Sequence, residues 1–314
     1  MIIAVASGKG GTGKTTVATS LAETAIRVLN ASGSDATDVL YLDCDVEAPN
    51  GHLFLKPTFQ YHREVGILIP EIDDSSCTHC GRCAEVCQYH AIAVLGKKTL
   101  VFPQLCHGCG SCTRQCPEGA IREIPNIIGA LERGITQTGI NFARGVLDIG
   151  EPMAVPVIRQ LKAWVNPLPQ AVADPGKLSE PKENKIPRQL VILDAPPGTS
   201  CPVVETVRGA DYLLLVTEPT PFGLHDLKLA VAVARELEIP MGVVINRYGF
   251  GDSQVDGYCA KEGLPVLMRI PFEREIAEII AQGILLVNGF PRYQADFEQL
   301  LSRILNGQHE EIRR

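Results

Sequence analysis

Four apolar runs punctuate the chain: Ile2 to Ala6, Val39 to Leu42, Leu190 to Leu193 and Tyr212 to Val216. Each is continuous rather than alternating, rich in Val, Ile and Leu, and short, which fits strands covered on both faces of a parallel sheet. Between them the apolar spacing becomes helical. Val17, Ala18, Leu21, Ala22, Ala25, Ile26 and Leu29 share one face, the stretch Leu224 to Leu237 repeats the pattern, and so do Phe297, Leu300, Leu301, Ile304 and Leu305. A further helical stretch is expected around Asn126 to Val165, and the polar, proline-rich segment from Asn166 to Arg188 reads as a surface loop. Buried strands alternating with amphipathic helices predict an α/β fold with a doubly wound, mostly parallel sheet.

The length of 314 residues suits one large α/β domain plus a small one, or two modest domains. Hydrophobic residues make up 45 % of the chain, as expected for a folded globular protein. The net charge of -7 argues against nucleic acid as a partner, because phosphate neutralisation needs clustered Lys and Arg. No run reaches the roughly 18 apolar residues of a membrane helix. Met1 to Ala6 is too short for a signal sequence, so no membrane insertion and a cytoplasmic location are expected. In that reducing compartment, eleven cysteines read as metal ligands rather than as a disulfide framework.

The first strand runs into Ser7-Gly8-Lys9-Gly10-Gly11-Thr12-Gly13-Lys14-Thr15-Thr16 and then into the first helix. A glycine-rich loop in this strand-loop-helix setting aims successive backbone N–H groups at one concavity, and the helix N-terminus adds a positive dipole end. Such a P-loop holds a polyphosphate, with Lys14 reaching the β and γ phosphates and the Thr15 hydroxyl ligating Mg²⁺. ATP or ADP with Mg²⁺ is the expected ligand. Two other strands deliver carboxylates where a doubly wound sheet binds ligands: Asp43 and Asp45 after the second, Asp194 after the third, the latter followed by Ala195-Pro196-Pro197-Gly198-Thr199.

The loop Lys9-Gly10-Gly11-Thr12-Gly13-Lys14-Thr15 resembles the deviant Walker A motif of the MinD, ParA, Mrp and nitrogenase iron-protein superfamily. The resemblance implies that Lys9 crosses a nucleotide-sandwich dimer to the partner's phosphates, hence a homodimer or a heterodimer with a related ATPase. It also implies that Asp194 is the Walker B aspartate, that Gly198 is the switch glycine sensing the γ-phosphate, and that Asp45, or failing it Asp43, activates water. Met241 to Arg247 and Arg269 to Phe272 are similar to the adenine-reading segments, so that Asn246 would meet the base edge and Pro271 its face. A slow, partner-stimulated ATPase is the implied activity.

Eight of the cysteines form two copies of one pattern, Cys77-x2-Cys80-x2-Cys83-x3-Cys87 and Cys106-x2-Cys109-x2-Cys112-x3-Cys116-Pro117. These resemble the bacterial ferredoxin run that binds two 4Fe-4S clusters, in which three thiolates come from one loop and the fourth, expected here to start a short helix, serves the other cluster. The resemblance therefore assigns Cys77, Cys80, Cys83 and Cys116 to one cluster and Cys106, Cys109, Cys112 and Cys87 to the other. Matching apolar segments, Ala91 to Val94 and Ala120 to Ile124, follow the two copies, so the whole half-module repeats. Two zinc sites built from CxxC pairs would leave the regular third and fourth cysteines without purpose. His79, His90 and His107 are expected at the surface or in hydrogen bonds. Cys201, seven residues after Asp194, reads as a buried small hydrophobe or a reactive ligand, and Cys44 and Cys259 complete the count.

The expected organisation is one P-loop ATPase of residues 1–70 and 126–314, interrupted by a small α+β ferredoxin-like domain at 71–125. Two functions follow from the resemblance. The first is an ATPase whose nucleotide-dependent dimer couples ATP to electron transfer through two 4Fe-4S clusters to a redox partner. The second is a maturation factor that assembles or delivers a metal-sulfur cofactor to a partner protein. A positioning switch of the ParA or MinD kind is a weaker third, since the C-terminal residues His309 to Arg314 are of mixed charge and read as the end of a packed helix.

Overall fold

The structure, a computed structural model, describes residues 1–31, 38–165 and 189–311. The loop expected from Asn166 to Arg188 lies outside the described residues. In chain order the elements are β1 (Ile2–Ala6), α1 (Lys14–Ala31), β2 (Val39–Asp43), α2 (Gly51–Leu55), β3 (Thr58–Ile72), α3 (Arg82–Glu85), β4 (Ile92–Leu95), β5 (Lys98–Val101), α4 (Ser111–Arg114), β6 (Ile121–Ile135), β7 (Asn141–Leu147) and α5 (Val155–Lys162). They continue with β8 (Leu190–Asp194), α6 (Cys201–Val207), β9 (Tyr212–Thr217), α7 (Pro221–Glu236), β10 (Met241–Tyr248), α8 (Gln254–Glu262), β11 (Val266–Pro271), α9 (Arg274–Ala281), α10 (Leu286–Gly289) and α11 (Arg292–Glu311).

Nine strands form one sheet in the order β11-β10-β9-β1-β8-β2-β7-β6-β3. From β11 to β7 every pairing is parallel; β6 and β3 run antiparallel at one edge. The expected apolar runs are its centre: β1, β8, β2 and β9 are buried along nearly their whole length. Their two faces feed two separate cores. Ile3, Val5, Tyr41 and Ile192 pack with α1, α10 and α11, while Ala4, Leu40, Leu42 and Leu193 pack with α5 to α8. A sheet with helices on both sides is thus the doubly wound arrangement that continuous rather than alternating runs require. The last helix packs as expected, with Phe297, Leu300, Leu301 and Ile304 buried and Leu305 at the margin.

The stretch from Asn126 to Val165 corrects the helical expectation. Its first part is strand: β6 continues to Ile135 and β7 follows, leaving only Val155–Lys162 helical in α5. Two glycines explain the outcome. A Cβ at Gly129 would lie 2.3 Å from the Val146 carbonyl oxygen, and one at Gly134 would lie 2.3 Å from that of Thr58. Both therefore let neighbouring strands approach closely, where in a helix they would only weaken it. Ile and Leu spacing alone cannot separate the two structures.

β3 and β6 are each 15 residues long, about 50 Å at the usual strand rise. Their Thr58–Val65 and Gly129–Ile135 halves lie in the sheet beside β7, while Gly66–Ile72 and Ile121–Ile127 continue as a two-stranded ribbon. Because Gly129 pairs with Leu147 and Ile135 with Asn141, the ribbon extends past the carboxyl end of β7. That is the end at which β1, β2 and β8 deliver the glycine loop, Asp43 and Asp194. At the ribbon's tip, residues 73–120 carry all eight patterned cysteines, with β4 and β5 paired as a hairpin. The expected boundaries at Glu71 and Pro125 fall inside the two strands, so no linker separates the cysteine segment from the sheet.

Candidate nucleotide site and cysteine quartets

The glycine loop lies between the end of β1 and α1, and its backbone turns through positive φ at Gly11 and Gly13 (81° and 89°). At Gly13 a side chain would also strike Asn246, whose Nδ2 lies 2.3 Å from the ideal Cβ position. Residues Lys9 to Thr16 line a cavity of about 440 Å³, with Asp45, Asn50, Asn246 and Pro271 on its other walls. That volume is typical of a small-molecule site. Two buried polar atoms on its walls, Thr12 Oγ1 and Asn50 Oδ1, have no hydrogen-bond partner within the protein. Buried polar atoms rarely stay unpaired, so both fit a wall that a polar ligand completes.

Beneath the loop a buried charge network has formed. Lys14 Nζ donates to Asp194 Oδ1 at 2.5 Å, and the Tyr41 hydroxyl donates to Asp194 Oδ2 at 2.9 Å. Asp43 Oδ2 accepts from the Gly51 N–H at 2.8 Å, and its Oδ1 from the Asp45 N–H at 3.3 Å. Burial works against the Lys14 ammonium, but the charges of Asp194, Asp45 and Asp43 outweigh it and hold its pKa above the ordinary value. The carboxyls move the other way. Burial, reinforced by Asp194, pushes Asp43 up to about 7; burial, with Lys14 opposing, pushes Asp45 up to about 6. Gly198, at φ 96°, donates its N–H to the Ser7 carbonyl at 3.0 Å, tying the segment after Asp194 to the start of the glycine loop.

Lys9 Nζ pairs with Glu218 Oε2 at 3.0 Å, just beyond β9, and Arg247 Nη1 lies 2.7 Å from the other oxygen of the same buried carboxylate. Arg247 also donates to the Gly11 carbonyl at 3.3 Å. Asn246 lines the cavity, but its carboxamide is engaged within the protein: Nδ2 donates to the Thr12 carbonyl at 2.8 Å and Oδ1 accepts from the Arg247 N–H at 2.9 Å. Pro271 lines the same wall beside Phe272.

The eight patterned cysteines divide between two small cavities. Cys77, Cys80, Cys83 and Cys116 line one; Cys87, Cys106, Cys109 and Cys112 line the other. The fourth cysteine of each run therefore faces the three of the opposite run. The walls are otherwise mostly apolar, with Ile72, Ala120 and Ile121 around the first and Pro70, Ala91 and Ile92 around the second. Main-chain N–H groups reach sulfur at matched places, Ala91 to Cys87 Sγ and Ala120 to Cys116 Sγ, both at 3.3 Å. The expected helix position needs correction. α3 and α4 each begin before the third cysteine and end before the fourth, because Gly81 and Gly110 take the left-handed conformation that starts the turn one residue earlier than Arg82 and Ser111. His79 bonds Thr99 at 3.1 Å and His107 stacks on Tyr89 at 3.6 Å, the surface roles expected. Cys201 is exposed at the start of α6, which corrects the buried alternative, while Cys44 and Cys259 are buried.

The family model for the CobQ/CobB/MinD/ParA nucleotide binding domain matches residues 3–287. The chain belongs to that family. An uncharacterized protein of Methanocaldococcus jannaschii is 30 % identical over 313 residues, 98 % of this chain and 97 % of its own. An iron-sulfur cluster carrier protein of Aquifex aeolicus is 30 % identical over 116 residues, 32 % of each chain. Among solved structures, the septum site-determining protein MinD of Pyrococcus horikoshii OT3, complexed with Mg-ADP, superposes with a TM-score of 0.52 at 20 % identity, covering 96 % of this chain and 95 % of that one. At that identity the likeness establishes the fold.

For this CobQ/CobB/MinD/ParA family member, the structure brings Lys9, Gly10 to Thr16, Asp45, Asn246 and Pro271 to one cavity and places Asp43 and Asp194 immediately beneath it. Four participants were not expected from the sequence: Tyr41, Asn50, Glu218 and Arg247. Glu218 follows a buried strand just as Asp43 and Asp194 end theirs, so its position carried a signal. Tyr41 carried none, since it lies within an apolar run.

Proposed function

We propose that this protein is a Mg-ATP-dependent, dimer-forming ATPase that couples its nucleotide state to electron transfer through two 4Fe-4S clusters. The observation that carries the reading is the sorting of eight cysteines into two quartets on a ribbon that grows from the nucleotide end of the same sheet. Four thiols around each apolar cavity, with N–H donors on sulfur, fit the chemistry of such clusters; Cys77, Cys80, Cys83 and Cys116 would hold one and Cys87, Cys106, Cys109 and Cys112 the other. Bound there, they would supply one-electron transfer at low potential.

At the nucleotide site, the main chain of Gly10 to Gly13 and the α1 N-terminus hold the phosphates. Lys14 would leave Asp194 to meet them, and Asp194 and the Thr15 hydroxyl would then hold Mg²⁺, which would neutralise charge on the phosphates. Asp45, with its pKa near 6, can accept a proton from attacking water near neutral pH. Lys9 leaves Glu218 to reach the phosphates of a second subunit. The match of residues 3–287 to a nucleotide-binding family model and the fold shared with a Mg-ADP-bound MinD support the nucleotide half. Anaerobic reconstitution tests the redox half: about eight iron and eight sulfide per chain are expected, and a content near two metal ions, or zinc in place of iron, would refute it.

A second reading has its own support in the likeness to an iron-sulfur cluster carrier protein over a third of the chain. On it the clusters are cargo or reductant for metal-sulfur cofactor assembly. Transfer of labelled iron to an apo-acceptor separates the two, because an electron carrier keeps its iron through turnover.

A further inference from the structure

The two quartets stand at different distances from the nucleotide site along the ribbon. Gly108, in the loop of the Cys106 run, lies on β3 just past the sheet: an ideal Cβ there is 3.0 Å from the Leu68 carbonyl oxygen and 3.3 Å from the Ile67 Cβ. Ile67 and Ile69 pack with Cys87 and Cys106. The other cavity closes on Ile72 and Ile121, the last pair of the ribbon. Counted from Gly66, Leu68 is two residues out, about 7 Å, and Ile72 six residues out, about 20 Å.

The ribbon leaves the sheet at a β-bulge. Val65 pairs with Gly129 and Gly66 with Ile127, so Ile128 is the extra residue. Bulges bend a strand and interrupt its ladder. Here the freed Ile128 carbonyl accepts from the Asp148 N–H at 3.0 Å, and the preceding Leu147 N–H donates to the Val46 carbonyl at 2.8 Å. Val46 follows Asp45, which lines the nucleotide cavity. Val46, Val65 and Ile128 are fully buried in one core cluster, with Val46 Cγ1 filling the space that the absent side chain of Gly145 leaves. A close-packed cluster of this kind transmits displacement rather than absorbing it.

We infer that the nucleotide site addresses the nearer quartet, Cys87, Cys106, Cys109 and Cys112, through the chain Asp45, Val46, Leu147, Asp148 and Ile128. The inference rests on the coupling proposed above and adds its route and its target. A shift of the loop after Asp45 moves the Asp148 amide and the bulge carbonyl, and with them the β3 segment against which Gly108 and Cys106 pack. The farther quartet, at the tip, is the entry or exit for electrons and is insulated from the nucleotide.

The test is a dithionite titration of the cluster-loaded protein under argon, followed by electron paramagnetic resonance, with Mg-ADP and with Mg²⁺ plus a non-hydrolysable ATP analogue. Two substitutions assign the signals, since each removes a hydroxyl beside one thiol: Ser111→Ala at 3.6 Å from Cys109 Sγ for the nearer set, Thr99→Val at 3.7 Å from Cys77 Sγ for the farther. The signal that responds to Ser111→Ala is expected to change its reduction equilibrium about tenfold between nucleotides, about 59 mV for one electron. The signal that responds to Thr99→Val should move less than a third as far on the same potential scale. Asp148→Pro, which removes the donor to Ile128, should abolish the nucleotide effect while both signals persist. If it fails to assemble, Gly66→Ala serves, because its Cβ would lie 2.6 Å from the Asn126 carbonyl oxygen and disturb the same bulge. Hydrogen exchange at the Asp148 amide of the unsubstituted protein should also change with nucleotide. Equal shifts of both signals, a larger shift of the farther one, or a full effect in Asp148→Pro would overturn the route. If neither signal shifts, the inference fails, and a nucleotide-dependent rate of electron transfer to an added viologen would show that coupling itself survives.

Discussion

Replacing Asp43 by Asn tests the buried charge network quantitatively. Asp43 is fully buried at the end of β2, and burial together with the Asp194 charge pushes its carboxyl from 3.8 up to about 7. A folded-state pKa raised above the unfolded one means that the native protein holds this proton more tightly. Its contribution to stability is complete below about pH 4 and is lost as pH rises through about 7. Between pH 5 and pH 8 a shift of this size removes on the order of 2 kcal/mol from the nucleotide-free protein. Asp43→Asn preserves shape and one acceptor for the Gly51 N–H but does not titrate. The variant loses the second, 3.3 Å bond to the Asp45 N–H, a pH-independent cost of about 1 kcal/mol. Thermal unfolding in EDTA without nucleotide should therefore find the variant less stable than the wild type at pH 5 and more nearly equal or more stable at pH 8. The relative change is roughly 4 °C for a chain of this size. A difference between variant and wild type that is the same at both pH values would refute the reasoning.

Other consequences can be checked independently. Cys116→Ala should disturb the cluster whose other ligands are Cys77, Cys80 and Cys83, and Cys87→Ala the one served by Cys106, Cys109 and Cys112, so that each spectrum loses the signal of the opposite run. His90 and Gly119 hold the same place in the two halves at φ 53° and 62°. Gly119→Ala should therefore cost about 1 kcal/mol in anaerobic thermal unfolding, whereas His90→Gly should stay within about 0.5 kcal/mol of wild type. Lys9→Ala should abolish ATP-dependent dimerisation in sedimentation velocity while leaving nucleotide affinity within about threefold, since Lys9 is paired with Glu218 rather than buried in the loop.

The nucleotide end of the fold was legible because its chemistry is local: a glycine loop after a strand, and carboxylates at strand ends, are fixed by neighbours in sequence. The cysteine runs were legible for the same reason; the ferredoxin resemblance implied two crossed quartets, and two cavities are lined by those two sets of four residues. What escaped was non-local. Gly129 and Gly134 make sense only against the Val146 and Thr58 carbonyls of the neighbouring strands, which an added Cβ would strike, so a strand read as a helix. Glu218 lies more than two hundred residues from Lys9, and Tyr41 meets Asp194 only because β2 and β8 are neighbours. The bulge at Ile128 is likewise a register feature. The route from nucleotide to cysteines could therefore emerge only from paired strands.

On the proposed function, one molecule joins a nucleotide switch to a pair of clusters. The most direct measurement of that coupling is the stopped-flow rate at which dithionite-reduced protein, freed of excess dithionite, passes electrons to a viologen in Mg-ATP, in Mg-ADP and without nucleotide. The expected rate differs severalfold between Mg-ATP and Mg-ADP, and loses that difference in Lys14→Ala while iron and sulfide content stays at the wild-type level. A rate indifferent to nucleotide in the wild-type protein, with both clusters present, would contradict it.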